Sequence, residues 1–203
     1  MMLLPLVSAC STGGQKITSS GFLHDNSQLS KVQSRKNTAL WVAPGIDLSR
    51  YDEVVVDIPE WHAAPRDAEI QSKLLNEFRG QLIAELATRY RVVDRVGTNT
   101  LRIRSALTNV RRTRWYLNVP AQAASFALGG LGVFAPLQGG ASEEMQVQAG
   151  KSGTVLIQMA TYRNGKPWNV KGSYVAYDHA RMAFKGAAGQ LNRILESPYD
   201  EQK

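Results

Sequence analysis

The sequence predicts an α+β fold, in which a single mixed or antiparallel sheet carries two principal helices on one face and follows an extended N-terminal arm. Two segments, near residues 70–86 and 184–195, place apolar side chains at helical spacing. Short β-branched or alternating runs lie between and around them, which is typical of strands. The chain has 203 residues, of which 43% are apolar and 20% charged, and is long enough for one such domain.

The first predicted strands are short. Residues 39–42 form an apolar run that Pro44-Gly45 ends. The run Val54-Val55-Val56, which Pro59 stops, is typical of a buried strand. We therefore expect two strands before the first helix.

A long amphipathic helix follows, and Asp67 is placed to cap its N-terminus. Its apolar stripe is formed by Ile70, Leu74, Leu75, Phe78, Leu82, Ile83 and Leu86. Because such a stripe needs an apolar surface to cover it, we expect the helix to lie on the sheet. After the helix, residues 90–93 predict a short strand. Residues 101–108 alternate with period two and predict a strand with one buried and one solvated face.

The second half of the domain predicts two more strands, at residues 142–150 and 154–162. Asn164-Gly165 is a hairpin signal, with residues 171–177 as the return strand. Asp178 is predicted to cap a last helix that ends before Pro198. The apolar side of this helix is formed by Phe184, Ala187, Ala188, Leu191, Ile194 and Leu195.

The only cysteine of the chain stands at the end of Leu6-Val7-Ser8-Ala9-Cys10, after an apolar run and two small residues. A bacterial lipoprotein signal ends in this way, so Cys10 is the candidate lipidation site. The leader is short and the first Lys or Arg is Lys16, which leaves two explanations. Either the start codon is placed too far downstream, or the chain is not exported. We prefer the first, because the pattern around Cys10 is specific.

The predicted organisation is a truncated lipoprotein signal peptide at 1–9, a tether and docking arm at 10–38, an α/β domain at 39–197 and a polar tail at 198–203. In the arm, Phe22 and Leu23 are apolar residues in a polar setting, and we expect them to dock on the domain. No segment reaches the ~18 consecutive apolar residues of a membrane-spanning helix, so the expected anchor is lipid. In lipoproteins generally an Asp after the cysteine retains the protein in the inner membrane. Ser11 therefore points to the outer membrane.

Several motifs resemble an uncharacterised family of Gram-negative lipoproteins, a domain of unknown function whose mature chains open SGFL-x-DYS-x-L. They are the opening Ser20-Gly21-Phe22-Leu23-x-Asp25-x-Ser27-x-Leu29, Trp41 to Gly45, Ser49 to Val54, Tyr90 to Asp94 and Leu101 to Leu107. Asn26 stands where the family usually has Tyr. The resemblance implies a periplasm-facing lipoprotein with no assigned activity.

The net charge of +7 favours anionic partners. The functional-looking cluster is basic and aromatic: Arg102, Arg104, Arg111, Arg112, Arg114, Trp115 and Tyr116. Arginines that alternate on a solvated strand face could hold anionic lipid headgroups or the carboxylates of peptidoglycan. They could equally form a soluble sheet face with an amphipathic aromatic edge. Nucleic acid is not an expected partner, because the chain is expected to be exported.

A segment rich in Gly and Ala at residues 120–141 suits close packing against a second chain or a membrane, and it equally suits a buried crossover.

No catalytic residue, cofactor or metal site is predicted. His24, His62 and His179 lack metal-ligand spacing and are interpreted as surface or capping residues. A single cysteine excludes an intramolecular disulfide framework and a zinc site built on paired cysteines. Glu143 and Glu144 are adjacent, so on a strand they point to opposite faces and make a weak acid/base pair.

The predicted function is an outer-membrane-anchored periplasmic lipoprotein that acts as a non-enzymatic interaction or assembly module of the cell envelope, with a secretion complex as one setting. The alternative is a lipoprotein that binds peptidoglycan or anionic lipid through the arginine-rich face. The expected partners are the membrane, through the lipid, and other envelope proteins or peptidoglycan. A homo-oligomer also fits.

Overall fold

A mixed sheet with two helices on one face forms the structure, a computed structural model that describes residues 17, 20–23, 27–32, 37–113, 139–165 and 175–200. Within these residues the elements are β1 (Ser30–Lys31), β2 (Thr38–Val42), β3 (Glu53–Val56), β4 (Glu60–Trp61), α1 (Ala68–Leu86), β5 (Arg91–Val92), β6 (Thr100–Arg111), β7 (Gly140–Ala149), β8 (Val155–Asn164) and α2 (Asp178–Glu196). The predicted fold class is confirmed.

The described strands form one sheet in the order β1-β2-β8-β7-β6-β3-β5, and β4 also pairs with β6. The pairs on the β1 side of the sheet, from β1 through to β6, are antiparallel. The pairs of β3 and β4 with β6, and of β3 with β5, are parallel. Three long central strands, β6, β7 and β8, therefore form the frame on which short edge strands are added.

Helix α1 begins as the sequence predicts. The side chain of Asp67 accepts hydrogen bonds from the backbone nitrogens of Glu69 and Ile70, at 2.9 and 3.3 Å. The fully buried members of its stripe are Leu74, Phe78, Leu82 and Leu86. Leu75 and Ile83 pack at the margin of the core, and Ile70 is 36% exposed.

The two helices lie side by side and run in the same direction. Phe78 of α1 and Phe184 of α2 have ring centroids 5.2 Å apart. Arg181 Nε donates to Glu77 at 2.9 Å, and further along both helices Asn192 donates to Thr88 at 3.2 Å. The predicted apolar side of α2 is buried throughout.

The predicted cap of α2 is wrong. Tyr177 occupies the N-cap position with a left-handed φ of 66°, and its side chain makes no capping hydrogen bond. Asp178 is the first helical residue instead. The turn before the helix places its carboxylate in the first turn, where the helix dipole still favours a negative charge.

Of the return strand predicted at residues 171–177, the structure describes only the last three residues, and that part of the prediction is wrong. Residues 175–177 form a bend and a turn that lead into α2, and residues 166–174 lie outside the described residues. Strand β8 already pairs with β2 on one side and with β7 on the other.

Candidate functional site on the arm-covered face of the sheet

The face of the sheet opposite the helices is covered by residues of the N-terminal arm. Phe22 and Leu23, 6% and 1% exposed, form a small cluster with Ala106 of β6 and Ala160 of β8. Successive strand residues point to opposite faces, so Ala106 lies on the other side of β6 from Leu107, which belongs to the helix-covered core. We call this side of the sheet the arm-covered face. The arm is thus packed against the domain with an apolar cluster of its own.

Phe22 is held between two side chains of the domain. Its ring meets His62 edge to face, with centroids 5.9 Å apart and an interplanar angle of 74°. The guanidinium carbon of Arg104 lies 5.4 Å from the centroid of the same ring. Cations over an aromatic face and edge-to-face ring pairs are both favourable contacts. The arm is therefore fixed by a specific contact as well as by burial.

Ser20 adds polar contacts beside Phe22. Its hydroxyl donates to Glu144 Oε2 at 2.7 Å and accepts from the backbone nitrogen of Phe22 at 3.2 Å. Its carbonyl oxygen lies 3.4 Å from His62 Nδ1. The opening of the family-like motif thus makes contacts with β6, with β7 and with His62, the residue after β4.

Glu60 links the domain residues that hold Phe22. His62 Nε2 lies 3.0 Å from Glu60 Oε2, and Arg104 Nη2 donates to Glu60 Oε1 at 2.8 Å. The hydrogen bond from His62, followed by the contact with Arg104, holds the pKa of Glu60 below its usual value. We call Ser20, Phe22, Glu60, His62 and Arg104 the arm clamp.

The arginine run does not form one cluster in the described residues. Arg102 Nε donates to Asp57 at 2.8 Å, just as Arg104 pairs with Glu60, so both guanidinium groups are held by carboxylates of the neighbouring segment. Arg111 lies seven residues further along β6, or about 23 Å at a strand's rise per residue.

The two remaining described arginines lie at the far end of β6. Arg111 is half-buried and donates to Asn164, and burial lowers the pKa of its guanidinium. Arg112 is exposed. The other members of the predicted cluster, Arg114, Trp115 and Tyr116, lie outside the described residues, as do Cys10, His24 and residues 120–138 of the Gly/Ala-rich segment.

Glu143 differs from its neighbour Glu144. It lies on the helix-covered face opposite Leu107 and Thr161, and it is 1% exposed. Neither of its carboxylate oxygens has a hydrogen-bond partner in the described part of the chain. Burial raises the pKa of Glu143 to about 8, and the charge of Arg163 opposes this rise. The sequence analysis did not identify this group as buried.

Other buried polar side chains lie between the sheet and α2, among them Thr161, the β8 residue opposite Glu143. Thr161 contacts Thr38 across β8 and β2 at 3.3 Å, and Gln190 of α2 donates to Thr38 at 2.8 Å. His179, in the first turn of α2, is 3% exposed, and burial lowers its pKa. This group is closed off from solvent and therefore acts on the packing of α2 rather than on an external ligand.

A separate groove of about 500 Å³ lies at the C-terminal ends of the two helices. Tyr51, Tyr90 and Tyr199 line it, together with Arg89 and Glu196, which pair at 3.2 Å. The arm clamp and the arginine run do not contribute to its lining.

Neither described helix combines the length and apolar character needed to cross a bilayer. Within the described ranges, His, Cys, Asp and Glu do not gather into a group of three or more that could hold a metal ion.

Sequence comparison connects the chain with proteins of unknown function. The profile of the family "Protein of unknown function (DUF3313)" matches residues 18–191. The uncharacterized lipoprotein YdcL of Escherichia coli, strains K12 and O157:H7, is 30% identical over 115 residues. This alignment covers 53% of the chain and 52% of the relative, so the chain spans about half the length of the curated relatives it matches.

Solved structures give weaker likenesses. The PelC dodecamer from Paraburkholderia phytofirmans is 13% identical, with 74% of this chain and 96% of that chain covered and a TM-score of 0.42. A hypothetical protein from Chlamydia trachomatis is 9% identical, with 75% and 97% covered and a TM-score of 0.41. Scores below 0.5 carry no argument about function.

Proposed function

This chain belongs to the DUF3313 family of proteins of unknown function, and from that premise we propose that it is a lipoprotein anchored in the outer membrane through Cys10. In this proposal the domain faces the periplasm and acts as a non-enzymatic interaction or assembly module of the cell envelope. The relative named as a lipoprotein and the small-small-Cys motif support the anchor.

The observation that carries the proposal is the burial of Phe22 and Leu23 on the arm-covered face. Ser20 is ten residues from Cys10, a reach of at most about 35 Å when extended. A lipid on Cys10 would therefore hold the domain close to the membrane. The helices lie on the opposite side of the sheet, so their outer surfaces would be turned toward the periplasm and its partners.

The arrangement of charges favours this role over anion binding. Arg102 and Arg104 already pair with Asp57 and Glu60. An anionic lipid or peptidoglycan would have to displace these carboxylates before it could use the same guanidinium groups. Ion pairs such as Arg102–Asp57 and Arg104–Glu60 also do not favour catalysis, because catalytic acids and bases need a pKa near the working pH.

The anchor is tested by intact mass and by density separation of inner and outer membranes, with the gene at its own locus. We expect an acylated mature chain in the outer membrane, and loss of acylation in Cys10→Ser. An unmodified thiol on a chain that keeps its leader would refute the anchor.

Retention on purified peptidoglycan tests the alternative. We expect no retention of the full chain. If the chain is retained, and Arg112→Glu abolishes retention while the equally exposed Arg95→Glu does not, the peptidoglycan-binding alternative replaces the interaction module.

A further inference from the structure

We propose that His62 is a proton-operated latch for the arm: its protonated ring joins Glu60 to the backbone of Ser20 and holds the arm on the sheet, and loss of that proton loosens the arm. The inference rests on the proposed function only for its biological consequence, which concerns the length of the tether.

The geometry around the ring carries the argument. Nε2 lies 3.0 Å from Glu60 Oε2, and Nδ1 lies 3.4 Å from the carbonyl oxygen of Ser20. A carbonyl oxygen and an ionised carboxylate only accept hydrogen bonds, whereas a neutral imidazole has only one N–H to donate. Both contacts are therefore satisfied together only by the protonated ring.

The groups that face His62 come from three elements. Glu60, beside it on β4, favours the charged ring, and Arg104 of β6 shares that carboxylate at 2.8 Å. From the arm, the edge-to-face contact of Phe22 and the carbonyl of Ser20 complete the surroundings. When the ring is neutral, Glu60 keeps Arg104 as a partner, while the link from the ring to Ser20 or to Glu60 is lost.

The side chain of His62 is 27% exposed, so it exchanges protons with solvent without unfolding of the core. Histidine is the side chain that ordinarily changes its charge between pH 5 and 8.

Release of the arm would change the reach of the domain. With the clamp closed, seven residues separate Cys10 from Ile17, which packs against the Phe22 and Leu23 cluster, or at most about 25 Å. With the clamp open, the next strand contact is β1 at Ser30, twenty residues from Cys10, or at most about 70 Å. Protonation would thus set how far the module extends from its anchor.

Amide hydrogen exchange of residues 20–23 tests the latch. The full chain with Cys10→Ser is measured at pH 5.5 and pH 8, and each rate is divided by its intrinsic rate. We expect protection of Phe22 and Leu23 to fall about tenfold at the higher pH, while β6 to β8 keep theirs. In His62→Gln the protection of Phe22 and Leu23 should be low and independent of pH. The same result is expected for Glu60→Gln.

Glu143 requires a control, because its pKa of about 8 lies in the same pH range. We expect Glu143→Gln to retain the pH dependence of the arm. The latch is overturned if the arm amides of the wild type do not respond to pH, if His62→Gln keeps the response, or if Glu143→Gln removes it. These readouts do not involve the lipid, so the latch and the anchor succeed or fail independently.

Discussion

Glu143 and Glu144 are consecutive residues of β7, yet they lie in opposite layers of the protein. Glu144 accepts a hydrogen bond from Ser20 of the arm, whereas Glu143 lies beneath α2 without a described hydrogen-bond partner. A single strand thus supports the arm with one carboxylate and carries a second, buried one under the helices.

The buried carboxyl group predicts a stability that falls as the pH rises. The pKa of Glu143 is about 8 in the folded state and 4.5 ordinarily, so the folded state keeps a proton that the unfolded state gives up between these values. The protonated carboxyl of Glu143 therefore stabilises the folded state fully below about pH 4.5, and this contribution to the free energy of unfolding is lost as the pH rises through about 8. We expect the wild type to lose on the order of 4 kcal/mol across this range. In Glu143→Gln that loss should be absent, as measured by urea unfolding at pH 5 and 8.5.

The matched control is Glu144→Gln, which changes the next residue on the other face. It should keep the pH dependence of the wild type. Equal slopes for the wild type and Glu143→Gln would show that the carboxyl of Glu143 does not carry a proton in the folded protein.

We expect the docking of the arm to depend strongly on one leucine, Leu23. Leu23 is 1% exposed, and its truncation in Leu23→Ala should cost about 2–4 kcal/mol of arm docking. Limited proteolysis is the measurement, because the arm then opens without unfolding of the main core. Leu29→Ala, in the same cluster but only partly buried, should cost less. Cleavage of the two variants at equal rates would contradict this account.

Two glycines of α2 should respond differently to alanine. A Cβ on Gly189 would meet its nearest neighbour at 3.7 Å, so Gly189→Ala should stabilise the helix by about 0.5–1 kcal/mol. A Cβ on Gly186 would lie 2.4 Å from the guanidinium carbon of Arg163. Because that side chain must move away, Gly186→Ala should lose this gain or destabilise the protein. Thermal unfolding of both variants measures these effects. An equal gain in stability for the two variants would contradict the close approach of Arg163 to Gly186.

The helix caps provide a further matched pair. Asp67 accepts two backbone hydrogen bonds, so Asp67→Ala should cost about 1 kcal/mol. Asp178 acts through its charge in the first turn of α2, and Asp178→Ala should cost about 0.5 kcal/mol or less. Urea unfolding measures both variants, and a larger loss for Asp178→Ala would restore the cap that the sequence predicted.

Elements with a strong local pattern were predictable from the sequence. Helix α1, the apolar side of α2 and strand β6 follow from periodicity, and the family resemblance based on the motif at residues 20–29 is confirmed by the profile match. Strand β5 lies within the short strand predicted at residues 90–93. The two-residue strand β4 exists because the longer β6 pairs with it, which no local pattern records. The end of the predicted return strand is wrong because residues 175–177 form the turn before α2, and the signal at Asn164-Gly165 does not record where a return strand ends.

The candidate site was less predictable. Alternation along β7 indicates two faces but not that both are covered, so the burial of Glu143 was missed. Glu60 and His62 are two residues apart, the spacing that puts strand side chains on one face, and this was the available signal for the arm clamp. The contact with Phe22, 40 residues earlier, depends on tertiary packing.

The pairing of β2 with β8 dictates an order of events during biosynthesis. Thr38 and Thr161 lie opposite one another although 123 residues separate them in sequence. A chain made from its N-terminus must therefore reach residue 161 before β2 can complete its pairing with β8, and such distant closures are slow. Until then Phe22 and Leu23 lack the surface that receives them. The arm, although made early, thus acquires its native contacts only once β8 has been made.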